Sequence, residues 1–318
     1  MQGLAKSANN GKMFICGDLF LQVECGGDKM ILGALEAGGT KMVCAIGDDK
    51  GNITERTSIE TKTPEDTMPQ IIEFFKDKNV KAIGIGSFGP IDLNKKSPTY
   101  GYITSTPKIP WQNYDLCGVL KEGLGVPVGF DTDVNASALG EVSYGALRGL
   151  MSGMYVTIGT GIGMGIWSEG QPLHNMLHSE AGHLLIRKRA DDDFKGACPY
   201  HGDCLEGLAS GEAMRQRYGV PGVELADKPE VWDLEADYIA QALANCIFVV
   251  SPQRIVLGGG VMKQEQLFPL IRTKVAEYLN DYLDTKEIKD MDTYIVPPML
   301  KDDQGIIGCL ELAKGELA

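Results

Sequence analysis

A pattern of apolar strand, glycine turn and second apolar strand occurs twice in this chain. The first copy covers residues 31–47, and the second covers residues 153–167. Short apolar runs around a glycine turn are typical of β-hairpins. Because the two hairpins lie roughly 120 residues apart, we predict a duplicated architecture whose two halves face each other.

Further apolar strands alternate with amphipathic helices between and after the hairpins. We predict helices at residues 64–78, 116–123, 134–147, 205–218, 231–250, 264–283 and 303–314, and strands at 80–86, 126–130, 254–257 and 293–296. Residues 94–114, rich in Pro, Ser, Thr and Tyr, are predicted to form a long ordered loop. This alternation indicates an α/β fold, and 318 residues allow two domains of ordinary size.

The charge and cysteine content exclude several classes of protein. A net charge of -13 argues against nucleic acid and anionic membrane as partners, although a small phosphorylated ligand needs only local donors. No secretory or membrane-length apolar run is found, so we expect a cytoplasmic protein with reduced thiols. Residues 1–29 lack periodicity and are interpreted as a leader or tag outside the fold, with a short edge strand around 14–23 as an alternative.

Several residues are predicted to serve the core rather than a site. Cys44 and Cys246 lie in apolar runs, and Trp111, Trp167 and Trp232 share no spacing that would indicate a binding motif. We therefore expect these five side chains to be buried.

Four soft or borderline metal ligands lie close together in the sequence. They are His183, Cys198, His201 and Cys204, of which the last three form a Cys-x2-His-x2-Cys loop. Two sulfurs and two imidazoles form a ligand set of structural zinc. The alternative is a pair of buried thiols beside surface histidines. If the protein fills all four positions, the zinc shapes a site and does no chemistry in it.

Three glycine turns follow apolar strands and predict phosphate binding. The residues concerned are Gly38, Gly39, Thr40, Lys41, Thr157, Gly159, Thr160, Gly161, Gly258, Gly259 and Gly260. Glycine lets backbone N–H groups approach phosphate oxygens closely, and the first turn adds the ammonium of Lys41. Each turn alone is more typical of a plain hairpin. Three in one chain favour a nucleotide, although none matches a Walker loop or a dinucleotide fingerprint.

Two carboxylates have competing interpretations. Asp133 lies where a strand ends and a helix begins, so it serves either as an N-cap or as a general base. Ligands of open α/β sheets bind beyond the carboxyl ends of the strands, where we expect this residue. Glu180 lies three residues before His183 and can chelate neighbouring sugar hydroxyls. Its alternatives are a surface ion pair or a hydrogen bond to a metal ligand.

Taken together, these motifs resemble the ROK family of sugar kinases, most closely its bacterial fructokinase branch. The most specific pieces are residues 36–41, 87–92, 131–135, 180–183 and 198–206, and the resemblance covers the chain from about Ile31 onward. It implies the actin-like, ribonuclease-H-like ATPase fold, with two lobes and a nucleotide and sugar cleft between them. The implied small lobe spans residues 30–139 and is completed by helix 303–318. The implied large lobe spans 140–302 and carries the zinc loop.

The resemblance also implies a role for each matching residue. The glycine turns above bind ATP, Asp133 deprotonates the sugar hydroxyl, and the Cys and His ligands hold structural Zn²⁺. The sugar-contacting positions are Ser87, Gly89, Pro90, Thr132, Asp133, Glu180, His183 and Glu206. Mg²⁺ accompanies ATP, and a homodimer is implied.

Three positions depart from the family pattern. Glu36 stands where many members have the Asp that orients magnesium through water, and His201 replaces a cysteine common in glucokinases. Thr132 stands where glucokinases have Asn, which favours fructose as the substrate.

The resulting prediction is ATP-dependent phosphorylation of fructose to fructose 6-phosphate. Glucose, mannose and amino sugars are alternative substrates of the same family. A non-catalytic sugar sensor or repressor is a further alternative. The family's repressors carry a helix-turn-helix domain ahead of the first hairpin, where this sequence has only the short leader. We therefore expect a kinase.

Overall fold

The structure, a computed structural model, describes residues 30–318. In chain order the strands are β1 (Ile31–Ala37), β2 (Lys41–Asp48), β3 (Ile53–Glu60), β4 (Ile83–Ser87), β5 (Tyr102–Ile103), β6 (Tyr114–Asp115), β7 (Val128–Thr132), β8 (Gly153–Ile158), β9 (Ile162–Ser168), β10 (Gln171–Pro172), β11 (Ile255–Gly258) and β12 (Ile295–Val296). The α-helices are α1 (Pro64–Phe75), α2 (Leu116–Leu124), α3 (Asp133–Tyr144), α4 (Leu205–Ala209), α5 (Gly211–Tyr218), α6 (Pro229–Val250), α7 (Leu267–Leu279), α8 (Lys286–Lys289), α9 (Met291–Tyr294) and α10 (Gln304–Gly315).

Two five-stranded sheets carry the predicted hairpins. The first sheet has the order β3-β2-β1-β4-β7, and the second has the order β10-β9-β8-β11-β12. In both sheets the hairpin strands pair antiparallel, and the next two strands add in parallel. The two sheets therefore repeat one arrangement of strands, as the duplicated glycine hairpins predicted.

Helix α3 lies between the two sheets and is the element that relates them. It contacts β4 and β7 of the first sheet, β8 and β9 of the second, and α10 along its length. Glycine makes this close packing sterically feasible. A Cβ at Gly308 of α10 would lie 1.7 Å from the carbonyl oxygen of Ala136, and one at Gly140 of α3 would lie 2.2 Å from that of Gln304.

Each sheet has its own apolar core. Trp111, 1% exposed, packs in the core of the first sheet, and Trp232, 1% exposed, packs in that of the second. Trp167, Cys44 and Cys246 are buried as well, which confirms the predicted core residues. The six cysteines of the described residues are free thiols. No helix within residues 30–318 is long and apolar enough to cross a membrane.

Strand β3 was missed, because its sequence alternates charged and polar residues over most of its length. It forms the edge of the first sheet, and of its eight residues only Ile59 is buried. Charged side chains are common on edge strands because they prevent pairing with a second molecule. An apolar pattern therefore could not reveal this strand.

The single helix predicted over residues 205–218 is wrong. Ser210 adopts an extended conformation (φ -82°, ψ 161°) between α4 and α5, and its hydroxyl accepts a hydrogen bond from Ala213 N at 3.1 Å. Residues 94–114 are also more regular than predicted, because they contain β5, the start of β6 and a 3₁₀ turn over Ile109–Trp111.

Several predicted boundaries are wrong by a few residues. Helix α1 ends at Phe75 and α7 at Leu279. Positive φ angles at Asp77, two residues after α1, and at Asn280, directly after α7, do not allow either helix to continue. Strands β4 and β12 start later than predicted, at Ile83 and Ile295. The alternative strand around residues 14–23 lies outside the described residues.

Candidate functional site

Two neighbouring cavities meet at the N-terminus of α3. The larger, of about 710 Å³, will be called the first cavity; it is lined by Gly89, Pro90, Thr132, Asp133, Glu180, His183 and Glu206, among others. The smaller, of about 540 Å³, will be called the second cavity; it is lined by Glu36, Lys41, Gly259 and Gly260, among others. Asp133, Val134, Thr157 and Thr160 line both. Asp133 thus lies where the cavity lined by the predicted sugar positions meets the cavity lined by Lys41, Gly259 and Gly260.

The glycine turns converge on this junction. Gly39, Thr40, Thr157, Gly159, Thr160 and Gly161 line the first cavity. Gly259 has a φ of +92°, and a Cβ there would lie 2.4 Å from the carbonyl oxygen of Ile158. Only glycine lets the third turn pack this closely on the second hairpin.

Three of the predicted sugar- and nucleotide-binding residues line neither cavity. The hydroxyl of Ser87 is turned away and donates to the carbonyl of Phe88 at 2.9 Å. Gly38 closes its hairpin through a hydrogen bond from its N–H to Lys41 O at 3.1 Å. A Cβ at Gly258 would lie 2.5 Å from the hydroxyl of Tyr155. These residues shape the turns without facing the cavities.

Asp133 occupies the first turn of α3 and is not its N-cap. Thr132 caps the helix, because its hydroxyl accepts a hydrogen bond from Asn135 N at 3.1 Å. The Asp133 carboxylate accepts one hydrogen bond from Val134 N at 2.9 Å and faces both cavities. Burial, together with the nearby carboxylate of Glu36, raises its pKa to about 7. This value suits a group that exchanges a proton near neutral pH.

A hydrogen-bond network behind Asp133 was missed by the sequence analysis. The buried carboxylate of Asp131 accepts hydrogen bonds from Thr132 N and from Asn135 Nδ2, both at 2.7 Å. Its second oxygen lies 2.9 Å from Nε2 of His174, and this contact raises the pKa of the imidazole. The network therefore fixes the strand end that presents Asp133. The motif at residues 131–135 contains part of this network, but no local sequence pattern connects that motif with residue 174.

His178 is the second missed residue, and it lies against the segment that contains Gly89 and Pro90. Its Nε2 accepts a hydrogen bond from Ile91 N at 3.1 Å, and a Cβ at Gly89 would lie 3.1 Å from its Cε1. Burial lowers the pKa of this imidazole. Since Nε2 is the acceptor, the proton of the neutral ring is on Nδ1, which lies 3.5 Å from Oε1 of Glu180. His178 thus bridges the segment that contains Gly89 and Pro90 and the carboxylate of Glu180, all of which line the first cavity.

Two carboxylates and one imidazole line the first cavity together. Oε2 of Glu206 accepts a hydrogen bond from Ile162 N at 3.0 Å, which ties α4 to the turn of the second hairpin. Burial and the neighbouring Glu206 raise the pKa of Glu180 to about 7. Together with His183, these side chains present several acceptors to a polyhydroxylated ligand.

The four predicted metal ligands lie together. Their donor atoms are all within 4.8 Å of one another, and antiparallel bridges from Cys198 to Gly202 and from Leu185 to Cys204 shape the loop. Nδ1 of His183 is 3.7 Å from Cys198 Sγ and 3.6 Å from Cys204 Sγ. Zn–S and Zn–N bonds at tetrahedral angles separate S and N by about 3.6 Å, so the spacing and the donor chemistry fit zinc.

Comparison with known proteins agrees with this geometry. The sequence model that describes the ROK family matches residues 32–316 of this chain. The fructokinase of Pediococcus pentosaceus is 46% identical over 91% of this chain and 99% of its own length. The fructokinase of Zymomonas mobilis subsp. mobilis is 42% identical over 90% of this chain and 97% of its own length.

Solved structures show the same fold. The ROK hexokinase from Thermus thermophilus is 26% identical and superposes with a TM-score of 0.73, over 91% of this chain and 99% of that one. This likeness and the two matching sheets confirm the predicted actin-like ATPase fold. The family match extends from β1 to the end of α10, and this protein belongs to the ROK family.

Proposed function

We propose that this protein is an ATP-dependent fructokinase, which transfers the γ-phosphoryl group of ATP to the 6-hydroxyl of fructose. The observation that carries the proposal is the position of Asp133, the only carboxylate among the described residues that lines both cavities. The fructokinases at 42% and 46% identity support the same reaction and substrate. The enzyme is a sugar kinase.

Fructose binds in the first cavity. Glu180, His183 and Glu206 accept hydrogen bonds from its hydroxyls, and the 89–90 segment and Thr132 complete the lining. Asp133 accepts the proton of the 6-hydroxyl as the oxygen attacks phosphorus. Phosphoryl transfer needs little covalent help from the protein, so positioning and charge provide most of the catalysis.

ATP binds across the glycine turns, with its phosphates reaching the junction at Asp133. Lys41 and the backbone N–H groups of the hairpins contact the phosphates. Glu36 lies in the second cavity, and burial raises its pKa despite the nearby Lys41. Oxygen donors of this kind suit Mg²⁺, which neutralises phosphate charge when bound with ATP.

Zn²⁺ is held by His183, Cys198, His201 and Cys204 and has a structural role. Nδ1 of His183 faces the two cysteines, so its Nε2 is the nitrogen left for the sugar. The metal thereby keeps the loop after His183 in place beside Glu206.

A homodimer in the cytoplasm is the assembly and location we propose. Exposed apolar side chains at the end of α6 and after α7 support an interface between copies. Val249 is 84% exposed and Tyr282 79%, and Phe248 packs against Tyr282 with ring centroids 6.1 Å apart.

A panel of hexoses tests the proposed function. With Mg-ATP, we expect kcat/KM for fructose to exceed that for glucose, mannose and glucosamine by about 10-fold or more, the range that pocket contacts provide. A coupled assay of ADP release measures each value. Higher kcat/KM for another hexose would reassign the substrate within the family, and no sugar-dependent ATP turnover would indicate a sensor.

The pKa values near 7 predict the pH dependence of catalysis. Asp133 must be ionised to accept a proton, and its pKa is raised, so activity is present above pH 7 and is lost as pH falls through 7. We expect kcat/KM for fructose to fall about tenfold for each pH unit below 7. Glu180, also with a pKa of about 7, steepens the fall if its ionised form binds the sugar. Initial rates at saturating Mg-ATP measure the profile, and a flat profile between about pH 5 and 8 would contradict the role of Asp133.

A further inference from the structure

Lys108 lies beside the first glycine turn and faces the first cavity. It immediately precedes the 3₁₀ turn Ile109–Trp111. A Cβ at Gly39 would lie 2.7 Å from its Cε and 3.7 Å from its Nζ. The side chain is half-buried and lines the first cavity together with Gly39 and Asp133. The ammonium group therefore lies beside the first glycine turn, in the lining of the first cavity.

The backbone around Lys108 is held in place by hydrogen bonds. Its carbonyl accepts from Trp111 N at 2.8 Å, and its N–H donates to the Thr106 hydroxyl at 3.3 Å. The indole of Trp111, 1% exposed, donates to Lys62 O at 2.7 Å. The loop thus presents the lysine from a backbone that is held by hydrogen bonds.

The charges around Lys108 point to an anionic ligand. The first cavity contains the carboxylates of Asp133, Glu180 and Glu206, and among its described lining residues Lys108 is the sole lysine or arginine. Lys41, Arg56 and Lys263 line the second cavity instead. Within residues 30–318, no carboxylate lies at ion-pair distance from the Lys108 ammonium. A lysine held beside a phosphate turn without an acidic partner is suited to bind a phosphate oxygen.

We propose that Lys108 is a further catalytic residue, which binds the phosphoryl group from the sugar side during transfer. The proposal rests on the proposed function. In this step the bond from γ-phosphorus to the bridging oxygen of ADP breaks, and the bond from phosphorus to the 6-oxygen forms. The hydroxyl proton passes to Asp133, and Lys108 takes no part in proton transfer. Its charge offsets the phosphate charge that enters a cavity lined by three carboxylates, and it then contacts the phosphate of the sugar product.

Lys108→Met tests the charge separately from packing, because methionine keeps an unbranched apolar chain over Gly39. We expect kcat to fall about 100-fold, as is typical when one donor to transition-state charge is removed, with fructose KM changed less than about threefold. Lys108→Arg keeps the charge and is expected to retain more activity than the methionine variant. Lys95→Met, an exposed lysine in the same segment, is the matched control and should leave kcat unchanged.

Binding without turnover gives a second readout. Calorimetry measures the affinities of the Lys108→Met variant. Its affinity for fructose 6-phosphate should be at least about tenfold weaker than that of the wild type, while its affinity for fructose stays unchanged. An unchanged kcat, or a loss confined to fructose KM and fructose affinity, would overturn the proposal in favour of packing or hydroxyl binding. Failure of the proposed function appears in the wild-type protein, as absent fructose turnover, whereas failure of this inference appears only in the variant.

Discussion

Asp133→Asn is expected to abolish fructose phosphorylation while leaving the fold intact. The amide cannot accept the hydroxyl proton, and loss of a general base typically lowers the rate by about 10²–10⁴-fold. Its oxygen can still accept the hydrogen bond from Val134 N that Asp133 accepts at 2.9 Å. Because burial disfavours the charged carboxylate, the neutral amide should not lower the free energy of unfolding.

A coupled assay of ADP release and a thermal melt measure the two parts of this prediction. Glu122→Gln is the matched control, since Glu122 is an exposed carboxylate on α2, remote from both cavities. Fructose and ATP affinities of the Asp133 variant should stay within about threefold of wild type, because the exchange alters proton transfer more than ground-state binding. Near-normal turnover in Asp133→Asn would contradict the assignment of this residue as the general base.

Removal of zinc is expected to raise fructose KM and to spare nucleotide binding. The four metal ligands hold the loop between His183, at the end of a 3₁₀ turn, and α4, and both His183 and Glu206 line the first cavity. Loss of groups that orient a site typically costs 10–100-fold in affinity or activity, so we expect an increase of about 10-fold or more in KM. ATP affinity should stay constant, since none of the four metal-binding side chains lines the second cavity.

Cys204→Ser removes one metal ligand without changing the lining of either cavity, because Cys204 is fully buried and lines neither. Metal content by atomic emission, fructose KM and the melting temperature are the measurements. Cys246→Ser is the control, since Cys246 is a buried thiol that contacts Met164 in the core and lies outside the ligand cluster. The control should retain its metal. If the metal-free protein phosphorylates fructose with unchanged KM, the loop is only a scaffold.

Much of the fold could be predicted from local patterns. Both hairpins are correct because apolar strands around glycine turns are a short-range signal. Strand β3 was missed because its polar sequence suits a sheet edge, and the break at Ser210 was missed because apolar spacing continues across it. Such features depend on which surface is exposed, which periodicity alone does not report.

Some residues of the candidate site could likewise be predicted from the sequence, and others could not. The grouping of the four predicted zinc ligands could be foreseen because three of them lie within seven residues, so that chain connectivity alone keeps them close. Ser87 was assigned to the sugar site, yet its side chain is fully buried and bonded to its own neighbour's carbonyl. Its direction depends on the pleat of β4, which a motif does not specify.

The α/β class, the glycine turns and the metal ligands followed from residue type and short spacing, because those properties act over a few bonds. The meeting of both hairpins around Asp133 depends on the packing of α3 between the two sheets. The contacts of His178 with Ile91, and of Lys108 with Gly39, join residues 87 and 69 positions apart. Only tertiary packing could bring such groups together, since their separation in the chain carries no local signal.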